Sequence, residues 1–427
     1  MRRFQFFNNK RYFVAFLLSI VVIVTLWLVS PLLPTLAQPQ AKIFDEVWQT
    51  VNDNFYDPKF NGVNWQAMQE KYKPQAVNAK SSQEFAVVVN QMLTELKTSH
   101  THFYTPDQPS YYQLLGIFQP RDRKSLDRLK PFLPEGKFVY TDIGIFTKVI
   151  NGKTFVSAIL DESPAIKAGI KVGDEILSVN SLPYQPIQSF AGKAGQKLKI
   201  QIQHQASVNS KEEIVVTPKV YDTTTMFMDA QRASTQVIER QNKKIGYVHI
   251  WSNAADPSQE QLIYDLLYDR LKQADALILD LRAGWGGGNT NYLTVFTGQG
   301  PSVTSIARNK SSITYESQWK KPVVMLINEG SRSSKEIIAY GFQQYNIGSV
   351  IGTKTLGAVV AGRPFVMQNG TLLYVAVTNV FVNGTRLEGR GVTPDINVPF
   401  TLEYAQGADP QKEKAIEVVM DRLRESS

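Results

Sequence analysis

Three short, mostly apolar runs set among amphipathic stretches limit the fold of this chain more than any other feature. They are Ile245–Ile250, Ala276–Leu281 and Val323–Ile327. A helical pattern carrying Leu262, Leu266 and Leu271 separates the first two, and Ser334–Gln344 reads as a helix behind the third. Strands buried on both faces appear as continuous apolar runs, and strand–helix alternation implies a layered, largely parallel or mixed sheet. The expectation is an α/β core over residues 221–404, closed by a C-terminal helix over 405–427.

The sequence before that core has two other textures. Residues 41–105 read as helical. Ile43, Val47 and Val51 recur at helical spacing, and Ser81-x-x-Glu84 is a capping box in front of the apolar face Phe85, Val88, Met92, Leu93 and Leu96. That helix delivers Thr98-Ser99-His100-Thr101-His102 into a turn. Residues 106–136, rich in proline and charge, read as a connector. Over 137–220 short β runs prevail: Phe155–Ile159, Leu198–Ile202 and an Asn151-Gly152 hairpin signal.

Residues 1–40 hold Arg2, Arg3, Lys10 and Arg11 and no acid, followed by an uncharged run from Tyr12 to Ser30. A basic start before an apolar run is an export signal, retained as a membrane anchor or cleaved near Thr35-Leu36-Ala37. Export to a periplasm, lumen or cell exterior is therefore expected. Those four bases account for half of the net charge of +8. The body is left only mildly basic, without a Lys/Arg stripe, which argues against a nucleic-acid partner. With Cys at 0, disulfides, thiolate metal sites and a cysteine nucleophile are excluded, and nothing suggests a metal or organic cofactor.

Two strand-to-helix turns stand out. Asp280-Leu281-Arg282-Ala283-Gly284-Trp285-Gly286-Gly287-Gly288-Asn289 lets bare backbone N–H groups point outward, yet it lacks the Lys-Ser/Thr of a phosphate loop and the third glycine of a dinucleotide fingerprint. A tight turn is the plainer reading. Asn328-Glu329-Gly330-Ser331-Arg332-Ser333-Ser334-Lys335-Glu336 allows two roles. Ser333-x-x-Glu336 has capping-box spacing, but a serine just beyond a buried strand is also how an α/β hydrolase exposes a nucleophile.

Taken together, these segments resemble the tail-specific, or C-terminal processing, family of serine proteases. Ile143-Gly144-Ile145, Ser163-Pro164-Ala165, Ala168-Gly169 and Gly173-Asp174 are similar to a PDZ domain. Asp280-Leu281-Arg282 with Gly286-Gly287, then Asn328 to Glu336, Gly352-x-x-Thr355-x-Gly357 and Gly391-Val392-x-Pro394-Asp395 follow in the family's order. The resemblance implies a crotonase-like ββα protease core, an N-terminal helical region and an inserted PDZ-like β domain, with Ser333 as nucleophile. It implies that Gly286, Gly287 and Ser334 donate backbone N–H groups to an oxyanion. It also implies that Ile143, Gly144 and Ile145 bind the terminal carboxylate of a protein or peptide substrate.

The departures from the family matter as much. Members that use a serine–lysine dyad carry the lysine after Thr-x-Gly and a glutamine four residues on; here those positions are Ala358 and Gly362. A second branch, which the tricorn-type proteases resemble, uses a Ser-His-Ser-Glu tetrad. Ser99-His100-Thr101 and Glu388 match its histidine and glutamate segments. A serine hydroxyl needs a base, and an imidazole of ordinary pKa ~6.5 can take the proton and return it to the leaving amine. The expectation is thus a His100 base oriented by Ser99 and Glu388, with kcat/KM falling on the acid side at ~6–7. His102 is the neighbour able to take its place; His204 and His249 fall at β-type positions and read as structural. The alternatives are a catalytically silent scaffold that binds C-termini, and a serine–lysine protease using Lys354.

Overall fold

The computed structural model describes residues 40–133, 136–253, 256–288, 293–298 and 300–425. The expected export segment, Tyr12–Ser30, lies outside them. Among the described residues, no helix is long and apolar enough to cross a membrane.

The N-terminal helices are α1 (Gln40–Asn54), α2 (Trp65–Val77) and α3 (Ser82–Thr94). The capping box forms as the sequence predicts: Ser81 Oγ accepts the Glu84 N–H at 3.0 Å, and Glu84 accepts the Lys80 N–H at 2.7 Å. Strand β1 (His102–Tyr104) follows, then α4 (Pro109–Ile117) and α5 (Arg123–Leu129). The stretch read as a connector is therefore mostly helical. Its proline and acid stand at helix starts, Pro109 in the first turn and Asp122 accepting the Ser125 N–H at 2.9 Å, where both residue types favour helix. Tyr111, Leu114, Leu115 and Leu129 of these helices are fully buried.

The β domain contains β2 (Val139–Asp142), β3 (Ile145–Ile150), β4 (Lys153–Ile159), the short α6 (Pro164–Lys167), β5 (Glu175–Val179), β6 (Leu182–Pro183), β7 (Leu198–Gln203), β8 (Lys211–Val216) and β9 (Lys219–Asp222). One sheet runs β3-β4-β5-β7-β8, and β2 pairs with β9 apart from it. Asn151 and Gly152, at φ +51° and +76°, make the two-residue turn between β3 and β4.

The core adds α7 (Met226–Ser234), β10 (Gln236–Arg240), β11 (Lys243–His249), α8 (Asp256–Leu267), β12 (Ala276–Asp280), α9 (Thr294–Thr297), the hairpin β13 (Val303–Ile306) and β14 (Ser312–Tyr315), β15 (Val323–Ile327), α10 (Ser334–Gln344) and β16 (Ser349–Gly352). The remaining elements are β17 (Val360–Val366), β18 (Leu372–Asn379), the pair β19 (Phe381–Val382) and β20 (Thr385–Arg386), β21 (Ile396–Asn397) and α11 (Pro410–Glu425). The central sheet has the order β10-β11-β12-β15-β16-β21, parallel throughout except for β10. Alternate residues serve opposite layers. Leu277, Leu279, Val323 and Met325 pack toward α8 and α10, whereas Ile278, Val324 and Leu326 pack against α11. This two-sided burial is why the strands read as unbroken apolar runs.

The helical region is not a separate body. Its core is shared with Val360, Leu373, Val375 and Ala376 of β17 and β18. Strand β1 joins the same antiparallel sheet by pairing His102 with Tyr374 and Tyr104 with Leu372.

Candidate active site

Adjacent parallel strands β12 and β15 end at the same side of the sheet, so the two turns singled out in the sequence leave it side by side. In open parallel sheets ligands gather at the carboxyl ends of the strands. The turns are in contact: a Cβ on Gly286 would lie 2.5 Å from Ser333 Cβ and 3.0 Å from Ser334 N. Only glycine permits that approach. Among the described residues, the N–H groups of Gly286 and Gly287 donate to no protein acceptor, while the Gly286 carbonyl accepts from Asn253 N–H at 3.1 Å. The Asn289 end of this turn lies outside the described residues.

Ser333 departs from an ordinary helix cap. Its φ of 58° and ψ of −124° are far from the extended conformation of an N-cap, at a cost of about 1–3 kcal/mol for a residue with a Cβ. The strain is held by Glu336, which is fully buried. One carboxylate oxygen accepts Ser333 N–H at 3.1 Å and Ala358 N–H at 2.7 Å; the other accepts Gly357 N–H at 2.7 Å and Thr355 Oγ at 2.6 Å. Burial raises the Glu336 pKa despite these donors. Sequence reasoning saw Glu336 only as a capping partner. Its second role, tying the serine turn to the Thr355–Ala358 loop, depends on a contact across the fold.

The lysine-dyad positions are structural. The Ala358 carbonyl accepts Ser333 N–H at 2.9 Å, and its methyl is fully buried. At Gly362 a Cβ would lie 2.4 Å from the Tyr374 ring, so no glutamine side chain fits there. Lys354 is exposed.

The β1–β18 pairing joins the segment that carries His100, 233 residues upstream of Ser333 in sequence (333 − 100), to the sheet of β17 and β18. His100 is 3% exposed. Its Nδ1 lies 2.7 Å from Ser99 Oγ, which in turn lies 2.9 Å from Glu388 Oε2. Glu388 also accepts Ser99 N–H at 2.9 Å, Thr98 Oγ at 3.3 Å and Val359 N–H at 2.6 Å. The carboxylate is an acceptor only, so Ser99 spends its single proton on Glu388 and receives Nδ1–H. The lone pair of His100 is then on Nε2, the tautomer a general base requires. Val359, whose N–H donates to Glu388, follows Ala358, whose carbonyl accepts the Ser333 N–H, so the chain at 358–359 ties the Ser99–His100–Glu388 relay to the backbone of the serine turn.

Arg332 was not foreseen. Its guanidinium sits 4.5 Å from the centre of the Trp285 ring, and its charge acts on Tyr104. Burial first, and then the Arg332 charge, depress His100 to about 3 and His102 to about 4. The acid limb expected at ~6–7 from an ordinary imidazole is corrected downward, because the sequence could not place a cation beside His100. His249 is lowered by burial and sits 2.8 Å from the Arg282 carbonyl, while His204 bridges Asp174 and Glu212. Both are structural. Lys335, fully buried, donates to the Ala283 carbonyl at the base of the glycine turn at 2.6 Å, and burial pushes it down to about 7.

In the β domain, the N–H groups of Ile143 and Gly144, expected to serve a substrate carboxylate, donate to Asp142.

Comparisons with known proteins agree with this architecture. The model of Peptidase family S41 matches residues 244–398, that of the PDZ domain 142–203, and that of the Tricorn protease C1 domain 37–94. Tricorn protease homolog 1 of Streptomyces coelicolor is 22% identical over 398 residues, which cover 90% of this chain and 35% of that protein. The carboxyl-terminal-processing protease of Synechocystis sp. is 22% identical over 394 residues, covering 89% and 87%. The crystal structure of the tricorn protease superposes with a TM-score of 0.53 at 18% identity over 91% of this chain and 37% of that one, a likeness of fold. This chain spans about a third of the length of the tricorn relatives it matches. The chain thus carries, in order, a segment matching the Tricorn protease C1 domain, a PDZ domain and, over residues 244–398, a segment matching Peptidase family S41.

Proposed function

We propose that the chain is a serine endopeptidase acting on protein or peptide substrates, with Ser333 as nucleophile and His100 as base. The observation that carries this reading is the Ser99–His100–Glu388 relay set beside a strained serine turn. His100 Nε2 takes the Ser333 proton as Oγ bonds to the scissile carbonyl carbon. The carbonyl oxygen becomes an oxyanion, held by the N–H groups of Gly286, Gly287 and Ser334, each donor typically worth ~10²–10³ in rate. Collapse breaks the C–N bond, and His100 gives its proton to the leaving amine. Water then repeats the sequence to release the acyl group. Ser99 and Glu388 hold the ring and steady the imidazolium.

The N-terminal segment, basic and then apolar, supports action outside the cytoplasm. The β domain supports substrate capture by strand addition, since β3 is the outermost strand of its sheet. The test is a fluorophosphonate probe together with a casein-type unstructured substrate. Wild type labels and cleaves; Ser333→Ala does neither. An unlabelled wild type would point to a silent scaffold, and undiminished cleavage by Ser333→Ala would move the nucleophile elsewhere.

A further inference from the structure

The β domain has a loop shaped to hold a carboxylate, and one already occupies it. Between β2 and β3 the chain turns through Ile143 and Gly144, the latter at φ +85°. The N–H groups of both donate to Asp142 Oδ1, that of Gly144 at 3.0 Å. Successive amides converging on one anion make a concavity that binds anions. At the head of an edge strand, such a concavity captures the terminal carboxylate of a peptide added to that strand.

Asp142 is 1% exposed and lies against the rings of Tyr140, Tyr184 and Tyr221, whose ionisation it opposes. Lys219, its cross-strand partner on β9, directs its ammonium over the Tyr221 ring at 4.6 Å. Burial raises the Asp142 carboxyl to about 7. The Tyr221 hydroxyl, in a residue 6% exposed, has no hydrogen-bond partner among the described residues, and a Cβ on Gly144 would come within 2.3 Å of it. The loop thus holds a full complement of acceptor charge and one spare donor.

Among the described residues, strand β3 pairs only with β4, which leaves its other edge without a strand partner. Its side chains reach residues next to the two active-site turns. Phe146 stacks on Trp251 at 5.7 Å, and Lys148 pairs with Glu329 at 3.3 Å, four residues before Ser333.

We propose that Asp142 sets what the β domain accepts: its carboxylate stands where a peptide's terminal carboxylate would sit, so β3 takes internal extended segments and rejects free C-termini. A second carboxylate would find its donors engaged and meet a like charge. This inference rests on reading the chain as a peptidase whose β domain meets substrate, but its readout is binding rather than cleavage.

The test uses the full chain carrying Ser333→Ala, at pH 8.5, where Asp142 is ionised. Three fluorescent peptides share one apolar-ended ten-residue sequence: a free acid, its amide, and a form extended by ten further residues. The amide and extended peptides should bind at least about tenfold tighter than the acid, the ratio that 1.4 kcal/mol of repulsion produces. Asp142→Ala should turn that preference toward the acid by at least tenfold. Should Asp142→Ala fail to fold, the isosteric Asp142→Asn should bring acid and amide to within about threefold of each other. Tighter binding of the acid with Asp142 present, a preference unmoved by substitution, or no binding of any peptide would each overturn the proposal. Residual cleavage by Ser333→Ala would count against the nucleophile assignment alone and leave the peptide preference standing.

Discussion

The pKa of His100 offers the sharpest test of the proposed base. An imidazole at its ordinary ~6.5 would be neutral in only about one molecule in eleven at pH 5.5, and kcat would fall accordingly. Burial and Arg332 move His100 to about 3, so its lone pair stays free across that range. The shift of 6.5 to about 3 corresponds to roughly 5 kcal/mol against protonation at this site. The chain has 4 histidines, few enough to assign one by one in ¹⁵N-histidine NMR using single substitutions. His100 should show no protonation step between pH 8 and 5. The kcat for a blocked peptide without titratable side chains should be flat over the same interval. Arg332→Gln removes the second cause and not the first, so it should raise the His100 pKa while leaving it below the ordinary value. A His100 midpoint at pH 6–7 in the wild-type protein would refute this account of burial and charge.

Other substitutions test separate parts of the site. Gly286→Ala places a methyl 2.5 Å from Ser333 Cβ and should lower kcat by ~10²-fold or more, with the far-UV circular dichroism of the native fold. Glu388→Gln should reduce kcat by an intermediate factor, since an amide nitrogen must face donors now satisfied by an oxygen; Lys354→Ala, at an exposed position, should leave kcat within about twofold. Lys335 is lowered from 10.5 to about 7, so the folded state binds fewer protons than the unfolded one between those values. Its destabilising contribution is full below about pH 7 and fades as pH rises toward 10. The melting-temperature advantage of Lys335→Met over wild type should therefore shrink between pH 7 and 9, although the variant loses the Ala283 contact and with it activity.

What the sequence discloses and what it conceals divide along the range of the interactions. Ser81 with Glu84, Asn151-Gly152 and the apolar runs of β11, β12 and β15 are local or periodic signals, and each marks the element found there. The glycine at 286 and the pair Ala358 and Gly362 could be recognised as unusual, but their reasons, Ser333 Cβ and the Tyr374 ring, lie across the fold. Arg332 looked like an ordinary loop residue because nothing local places it against Trp285 and Tyr104. Nothing in the sequence marks Asp142. Its occupation of the following amides is a short-range contact, yet a carboxylate one residue before a glycine turn more often faces water than its own backbone.

Strand β1 has only three residues, and its short ladder with β18, with the Ser99–Glu388 hydrogen bonds beside it, joins the histidine-bearing segment to the sheet. A ladder that short can open without unfolding the two layers it joins, because local openings draw on few contacts. Each opening would leave the serine turn intact but without its base. Peptidase activity would then report the closed fraction of one small ladder rather than the folded fraction of the molecule. On a ribosome the histidine segment emerges well before the serine turn, and the two cannot meet until β18 has been made. The nascent chain would thus carry a proton acceptor without its nucleophile through most of its synthesis, and proteolytic capacity would be among the last properties the fold acquires.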